Sequence, residues 1–186
     1  LTMKMAKIFA KCLLMKGTLS NTSAEKKQKY GEITKMKIST EGLALIKKFE
    51  GCRLDAYLCA AGVPTIAWGK TKDVNMGDSC TQEQADDWLL EEIVEYEDYV
   101  SDAVDLPLSQ HQYDALVSWT YNLGRGSLLS STMLKVLNKG EYEEVPYQMQ
   151  KWNKATVDGK KVVLDGLVRR RKAESLLFKG QQWHDA

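Results

Sequence analysis

The sequence predicts an α+β fold, with a small antiparallel β lobe early in the chain and a mainly helical lobe after it. Three observations predict it. From Thr81 onward, apolar residues recur at helical spacing behind capping residues. Residues 52–79 hold only short apolar runs, at Tyr57-Leu58 and Thr65–Trp68, broken by glycine and proline. A helix pattern ahead of that stretch closes at Glu50-Gly51, where the two lobes should meet in a cleft.

The elements follow in chain order. Ser39 or Thr40 can cap a helix that Glu41 opens, with Leu43, Ile46 and Phe49 at helical spacing. Thr81 caps a long helix whose Ala85, Leu89, Ile93, Tyr96, Val100 and Ala103 share one face. Glu91, Glu92, Glu95, Glu97 and Asp98 read as mostly its solvated side. Pro107 breaks the chain, Ser109 caps a helix through Tyr121, and Gly124 and Gly126 end it. Further helices are expected at 131–138, 141–152 and 165–179. In the last of these, Arg169-Arg170-Arg171-Lys172 reads as a basic face turned to a cleft or a carboxylate, rather than a nucleic-acid interface.

Charge divides the chain. The whole carries a formal net +1, but residues 1–36 hold eight lysines against two glutamates. The remainder is therefore acidic, and the boundary is drawn at a leader or linker over 1–35 and a domain over 36–186. Residues 17–35 have linker composition. Residues 1–16 read either as a disordered or weakly helical basic leader or as an amphipathic segment in transient contact with anionic membrane. Residues 1–35 as a whole read as upstream read-through, a fusion or a leader. No run of eighteen apolar residues exists. Four cysteines (Cys12, Cys52, Cys59 and Cys80) and two histidines show no metal-ligand spacing, so neither a metal nor a cofactor is expected.

The stretch "FEGCRLDAYLCAAGVPTIAWGKT" is the richest in chemistry. Cys59 lies nine positions after Glu50, and Thr65 six beyond that. Inverting glycoside hydrolysis needs a protonated acid for the leaving oxygen and a group on the other face to orient water. Glu50 suits the first role, Cys59 the second, and the Thr65 hydroxyl can hold the water. Trp68, beside them, is a candidate for lining a sugar cleft.

The segment "EGLALIKKFEGCRLDAYLCAAGVPTIAWGKT" resembles the active-site segment of the phage-type, T4-lysozyme-like endolysins of glycoside hydrolase family 24. "LSQHQYDALVSWTYNLGRG", "SSTMLKVLNKGEYEEVPYQMQKW" and "GLVRRRKAESLLF" resemble later family segments in the same order, so the likeness covers about 38–180. It implies a two-lobed, lysozyme-like fold and a muramidase that cleaves the β-1,4 bond between N-acetylmuramic acid and N-acetylglucosamine of peptidoglycan. Carried over by position, Glu50 is the acid, Cys59 fills the second catalytic place, Thr65 is the third, and Asn122 presents a substrate-contacting amide. The resemblance also implies a monomer made in the host cytoplasm and acting in the periplasm on the wall.

Some members of that family control a catalytic-place cysteine by disulfide exchange, so Cys12, Cys52 and Cys59 are candidates for a redox set. Two positions depart from the family pattern: Ala67 stands where a glycine is usual, and Lys70 where a histidine is usual. A glycine there would serve close approach or unusual backbone torsion, so Ala67 is expected to strain the hairpin. The competing reading is a non-catalytic wall-binding or membrane-permeabilising protein on a lysozyme scaffold.

Overall fold

The computed structural model describes residues 35–59, 62–157 and 159–186. Cys12 and the leader segment 1–16 lie outside the described residues. The first helix, α1 (Thr40–Glu50), is capped by Ser39, whose hydroxyl accepts from the Gly42 amide. Leu45 and Ile46 are its buried apolar side chains, and Gly51 leaves it with φ +69°. Gly42 is needed for packing: a Cβ there would lie 2.6 Å from Ile38 Cγ1 and 2.8 Å from Asp114 Cβ.

The β lobe is small. β1 (Arg53–Leu58) pairs antiparallel with β2 (Pro64–Ala67), placing Tyr57 opposite Thr65 and Leu58 opposite Pro64. An irregularity lies between Arg53 and Tyr57, and an isolated bridge joins Asp55 to Ser79. Ile66 and Ala67 bury against Ala85, the contact that seats the sheet on the next helix.

The helical lobe opens with α2 (Gln82–Ala103), whose Thr81 and Gln84 form a reciprocal capping box. α3 (Gln110–Leu123) is the central helix and is buried along most of its length. α4 (Arg125–Ser130), α5 (Thr132–Asn138), a 3₁₀ turn (Tyr142–Glu144) and α6 (Val145–Gln150) wrap it. α7 (Asp165–Phe178) closes the lobe against α3 and α6. The core runs through Leu89, Ile93, Leu116, Trp119, Leu137, Met149 and Phe178.

Two expectations change. A second antiparallel hairpin, β3 (Lys154–Val157) with β4 (Lys160–Val163), stands where the sequence reading placed no element. Glu97 is not on the solvated side of α2. It is buried, its Oε2 accepts from Lys37 Nζ at 2.9 Å and its Oε1 from the Ile38 amide at 2.7 Å. The basic run of the last helix does turn to carboxylates: Arg170 meets Glu50 and Glu174, Arg171 meets Glu174, and both arginines are fully buried.

Residues ahead of α1 are strapped to α2 and α3. Besides the two bonds to Glu97, Tyr113 Oη donates to the Met36 carbonyl at 3.1 Å, and the Ser39 amide donates to Asp114 Oδ1 at 2.9 Å. The strap therefore joins the first described residues directly to the helical core.

Candidate active site

Glu50 is the last residue of α1 and sits at the lobe junction because Gly51 turns the chain straight into β1. Its side chain is 5% exposed, and Oε1 accepts from Arg170 Nη1 at 2.8 Å. A buried carboxylate and guanidinium each need the other, since an unpaired charge in this setting is costly. Arg170 also donates from Nε to Glu174 Oε1 at 3.0 Å. Ser118 Oγ donates to the same oxygen at 3.0 Å. One guanidinium on α7 thus ties Glu50 of α1 to the floor made by α3 and α7. Burial pulls the Arg170 pKa down, but Glu50 and Glu174 carry it above the ordinary arginine range.

Arg171 lies beside it and holds Asn122. Its Nη2 donates to Asn122 Oδ1 at 2.6 Å. Its Nε stands 3.2 Å from Glu174 Oε2 but is not aligned for a hydrogen bond, so the contact is electrostatic. Nη1 has no hydrogen-bond partner among the described residues. Burial lowers the Arg171 pKa to about 10, which leaves the guanidinium charged at neutral pH.

Across the junction, Cys59 and Thr65 meet at one atom. The Cys59 amide donates to the Val63 carbonyl at 3.0 Å, and the Thr65 hydroxyl donates to the same oxygen at 3.0 Å. Thr65 is fully buried and Cys59 nearly so. The hairpin geometry forces this pairing, because the turn between β1 and β2 brings residues 59 and 63 opposite each other.

Tyr57 pairs with Thr65 across the hairpin, and the Arg53 guanidinium lies 4.1 Å from its ring centre. Burial raises its phenol pKa, and the Arg53 charge opposes that. On the helical side, Glu50 also acts on Tyr96 and Tyr121, whose phenols burial holds far above the usual range. Tyr121 Oη donates to Glu92 Oε2 at 3.1 Å.

Trp68 is half-buried, and its indole N–H is already committed to Asp86 Oδ1 at 2.8 Å. Lys47 Nζ sits 2.9 Å from Asp86 Oδ2 and 5.2 Å from the Trp68 ring centre. The ring thus pins the sheet to α1 and α2. Ala67 has φ +55°, the strain expected of a methyl-bearing residue in a glycine place. Lys70 lies 5.4 Å from the Trp88 ring centre, a cation–π contact in place of an imidazole.

Among the described residues Cys52, Cys59 and Cys80 are thiols, with no disulfide between them. Burial raises the pKa of both Cys52 and Cys80, which favours the protonated form. No cluster of three or more metal-ligating side chains occurs among the described residues.

The structure therefore joins Cys59 and Thr65 at the Val63 carbonyl, ends α1 at Glu50 just ahead of β1, and holds Asn122 against Arg171, while Trp68 serves as a clasp. Arg170, Arg171 and Tyr57 were missing from the residues the sequence reading gave to the site. The arginines had a signal in the basic run expected to turn to a cleft or a carboxylate. Tyr57 had none, since its place opposite Thr65 follows from the hairpin register.

The chain is similar in sequence and fold to known proteins. The profile of the phage lysozyme family matches residues 47–174. The endolysin of Acyrthosiphon pisum secondary endosymbiont phage 1 is 46% identical over 143 residues, spanning 77% of this chain and 98% of that one. The SAR-endolysin of Pseudomonas phage phiKMV is 40% identical over 132 residues, 71% of this chain and 82% of that one. Among solved structures, the endolysin from Escherichia coli O157:H7 phage FAHEc1 superposes with a TM-score of 0.74 at 42% identity, covering 77% of this chain and 93% of its own. The muramidase domain of SpmX from Asticaccaulis excentricus gives 0.73 at 37%, covering 76% and 97%. A profile match across most of the domain, with both lobes and the Glu50 junction inside it, means that the chain belongs to the phage lysozyme family.

Proposed function

We propose that the chain is a muramidase that hydrolyses the β-1,4 bond between N-acetylmuramic acid and N-acetylglucosamine in peptidoglycan and so lyses a bacterial host. The observation that carries this is the Glu50 carboxylate, 5% exposed at the lobe junction and fixed by Arg170, in a chain of the phage lysozyme family. Glu50 in its acid form gives its proton to the bridging oxygen as the bond from the anomeric carbon to that oxygen breaks. Water adds to the anomeric carbon from the opposite side and releases a proton. Cys59 and Thr65 hold that water, and Cys59 as thiolate takes its proton. Asn122, with Oδ1 occupied by Arg171, offers its Nδ2 to the glycan. Arg170 is a positioning residue.

Relatives named as endolysins and a muramidase domain support hydrolysis over the non-catalytic wall-binding reading. Residues 36–186 are the catalytic domain and 1–35 its leader, and the protein works as a monomer on the periplasmic side of the wall. A relative named as a SAR-endolysin supports that destination. Among the described residues no helix is long and apolar enough to cross a membrane. Transient contact with the inner membrane is assigned to residues 1–16. Cys12, Cys52 and Cys59 are kept as the redox set.

The test is Glu50→Gln, which keeps an oxygen for Arg170 but removes the proton. Wall turbidity clearance should fall about 10²–10⁴-fold, the usual scale of general acid catalysis, with the far-UV spectrum unchanged. A folded Gln variant that clears walls at the normal rate would remove Glu50 from the mechanism.

A further inference from the structure

The β3–β4 hairpin is not used by the chemistry above, yet it leads directly into α7, the helix that carries Arg170. Residues 151–172 hold eight basic residues against two acidic ones, in a domain that is otherwise acidic. Two of the eight, Arg170 and Arg171, are buried at the site, and the others include the hairpin lysines.

The register decides which of those lysines act together. Lys154 pairs with Val163, Ala155 with Val162, Thr156 with Lys161, and Val157 with Lys160. Paired residues share a face and successive residues alternate. One face therefore carries Lys154, Thr156, Lys161 and Val163, and all four are exposed. The other carries Ala155, Val157, Lys160 and Val162, with Ala155 and Val157 half-buried. Lys154 and Lys161 are diagonal neighbours, about 7–8 Å apart at the backbone. Like charges so placed repel, and none of the hairpin lysines forms an ion pair among the described residues. Two uncompensated ammonium groups, a hydroxyl and a valine on an open face suit a short peptide bearing carboxylates.

Position selects the peptide. The Leu164 amide closes the hairpin base on the Asn153 carbonyl at 3.1 Å, and α7 begins at the next residue. Asp165 is then about 7.5 Å along the helix axis from Arg170, at 1.5 Å per residue. Peptidoglycan stems hang from the lactyl group of muramic acid, one of the two sugars at the scissile bond. A four-residue stem extends to at most about 14 Å. Resting on the muramidase reading, we infer that the Lys154–Lys161 face of the β3–β4 hairpin is a binding subsite for the peptide stem of peptidoglycan, engaged through its free carboxylates.

The experiment uses two substrates and two variants of the full chain. Sacculi are prepared intact or stripped of stems by an amidase, and both sedimentation binding and hydrolysis are measured. Lys154→Gln/Lys161→Gln should raise Kd and KM on intact sacculi roughly three- to tenfold, the scale of two exposed charge pairs, with kcat unchanged. On stripped sacculi it should match the unsubstituted protein. Lys160→Gln, on the opposite face, should match it on both. The inference is overturned by an unchanged double variant or by equal weakening on stripped walls. Equal weakening by Lys160→Gln overturns it too, as does loss of binding to anionic lipid vesicles with wall binding intact. If the unsubstituted protein cleaves neither substrate, the muramidase reading fails, while the sedimentation difference still decides the stem subsite.

Discussion

Arg170 Nη1 lies 2.8 Å from Glu50 Oε1 across 120 residues of sequence, with both side chains withdrawn from water. This pair closes the domain, since it joins the end of α1 to the last helix. It also fixes the carboxylate to which the chemistry is assigned.

Arg170→Met should therefore be among the most damaging single changes in the helical lobe. It leaves Glu50 and Glu174 buried without their shared cation, at a cost of about 3–5 kcal/mol. Arg170→Lys keeps a charge but not the fork that reaches both carboxylates, so its loss should be smaller. Urea denaturation of the two variants gives the comparison. A Met variant within about 1 kcal/mol of the starting protein would show that the pair contributes little.

Ala67 tests the strained hairpin. Its φ of +55° costs about 1–2 kcal/mol for a residue with a Cβ, against about 0.8 kcal/mol for its buried methyl. Ala67→Gly should thus stabilise by about 0.5 kcal/mol, and Ala67→Val should destabilise by more than that. Denaturant midpoints measure both. A glycine variant that unfolds earlier than the parent contradicts the account.

Asn122 separates an acceptor role from a donor role. Asn122→Asp keeps an oxygen for Arg171 and loses the amide donor. Stability should hold or rise, while KM for peptidoglycan should increase about three- to tenfold, the worth of one hydrogen bond. Asn122→Ala should lose both, with a stability cost of about 1–3 kcal/mol for the unpaired buried guanidinium. Equal KM values for parent and Asp variant would leave Asn122 a purely structural partner of Arg171.

Alkaline pH should unfold the domain through its phenols. Burial raises the Tyr113 and Tyr99 pKa values to about 12 from an ordinary value of 10. Above pH 10 the unfolded chain loses these protons first, so it binds fewer than the folded one and stability falls as pH rises toward 12. Arg171, lowered to about 10, opposes this, because the unfolded chain then holds the extra proton. Tyr113→Phe should make the fall shallower. Stability measured from pH 8 to pH 11.5, with phenolate absorbance recorded alongside, reads the effect. A rise in stability across that window would reverse the assignment.

Much of this was legible in the sequence, and the exceptions share a cause. Ser39 and Thr81 announce their helices because capping is local chemistry. Glu50 and Thr65 stand out through spacing and resemblance. Glu97 does not, since a charged run on a helix reads as solvated until a partner arrives from far along the chain, and the basic run of α7 announces a carboxylate without saying that it is Glu50. The β3–β4 hairpin was hidden because the alternation of Lys-Ala-Thr-Val lasts only four residues and Lys-Lys-Val-Val has none. All four residues of β4 are exposed, so no buried face marks the second strand.

The strap ahead of α1 has a mechanical consequence. Met36, Ile38 and Ser39 are fastened to Tyr113, Glu97 and Asp114, all on helices of the central bundle. A pull on the chain upstream of Lys35 loads those three fastenings before it reaches α1. Load arriving from that side is therefore carried by α2 and α3, not by the far end of α1 where Glu50 stands.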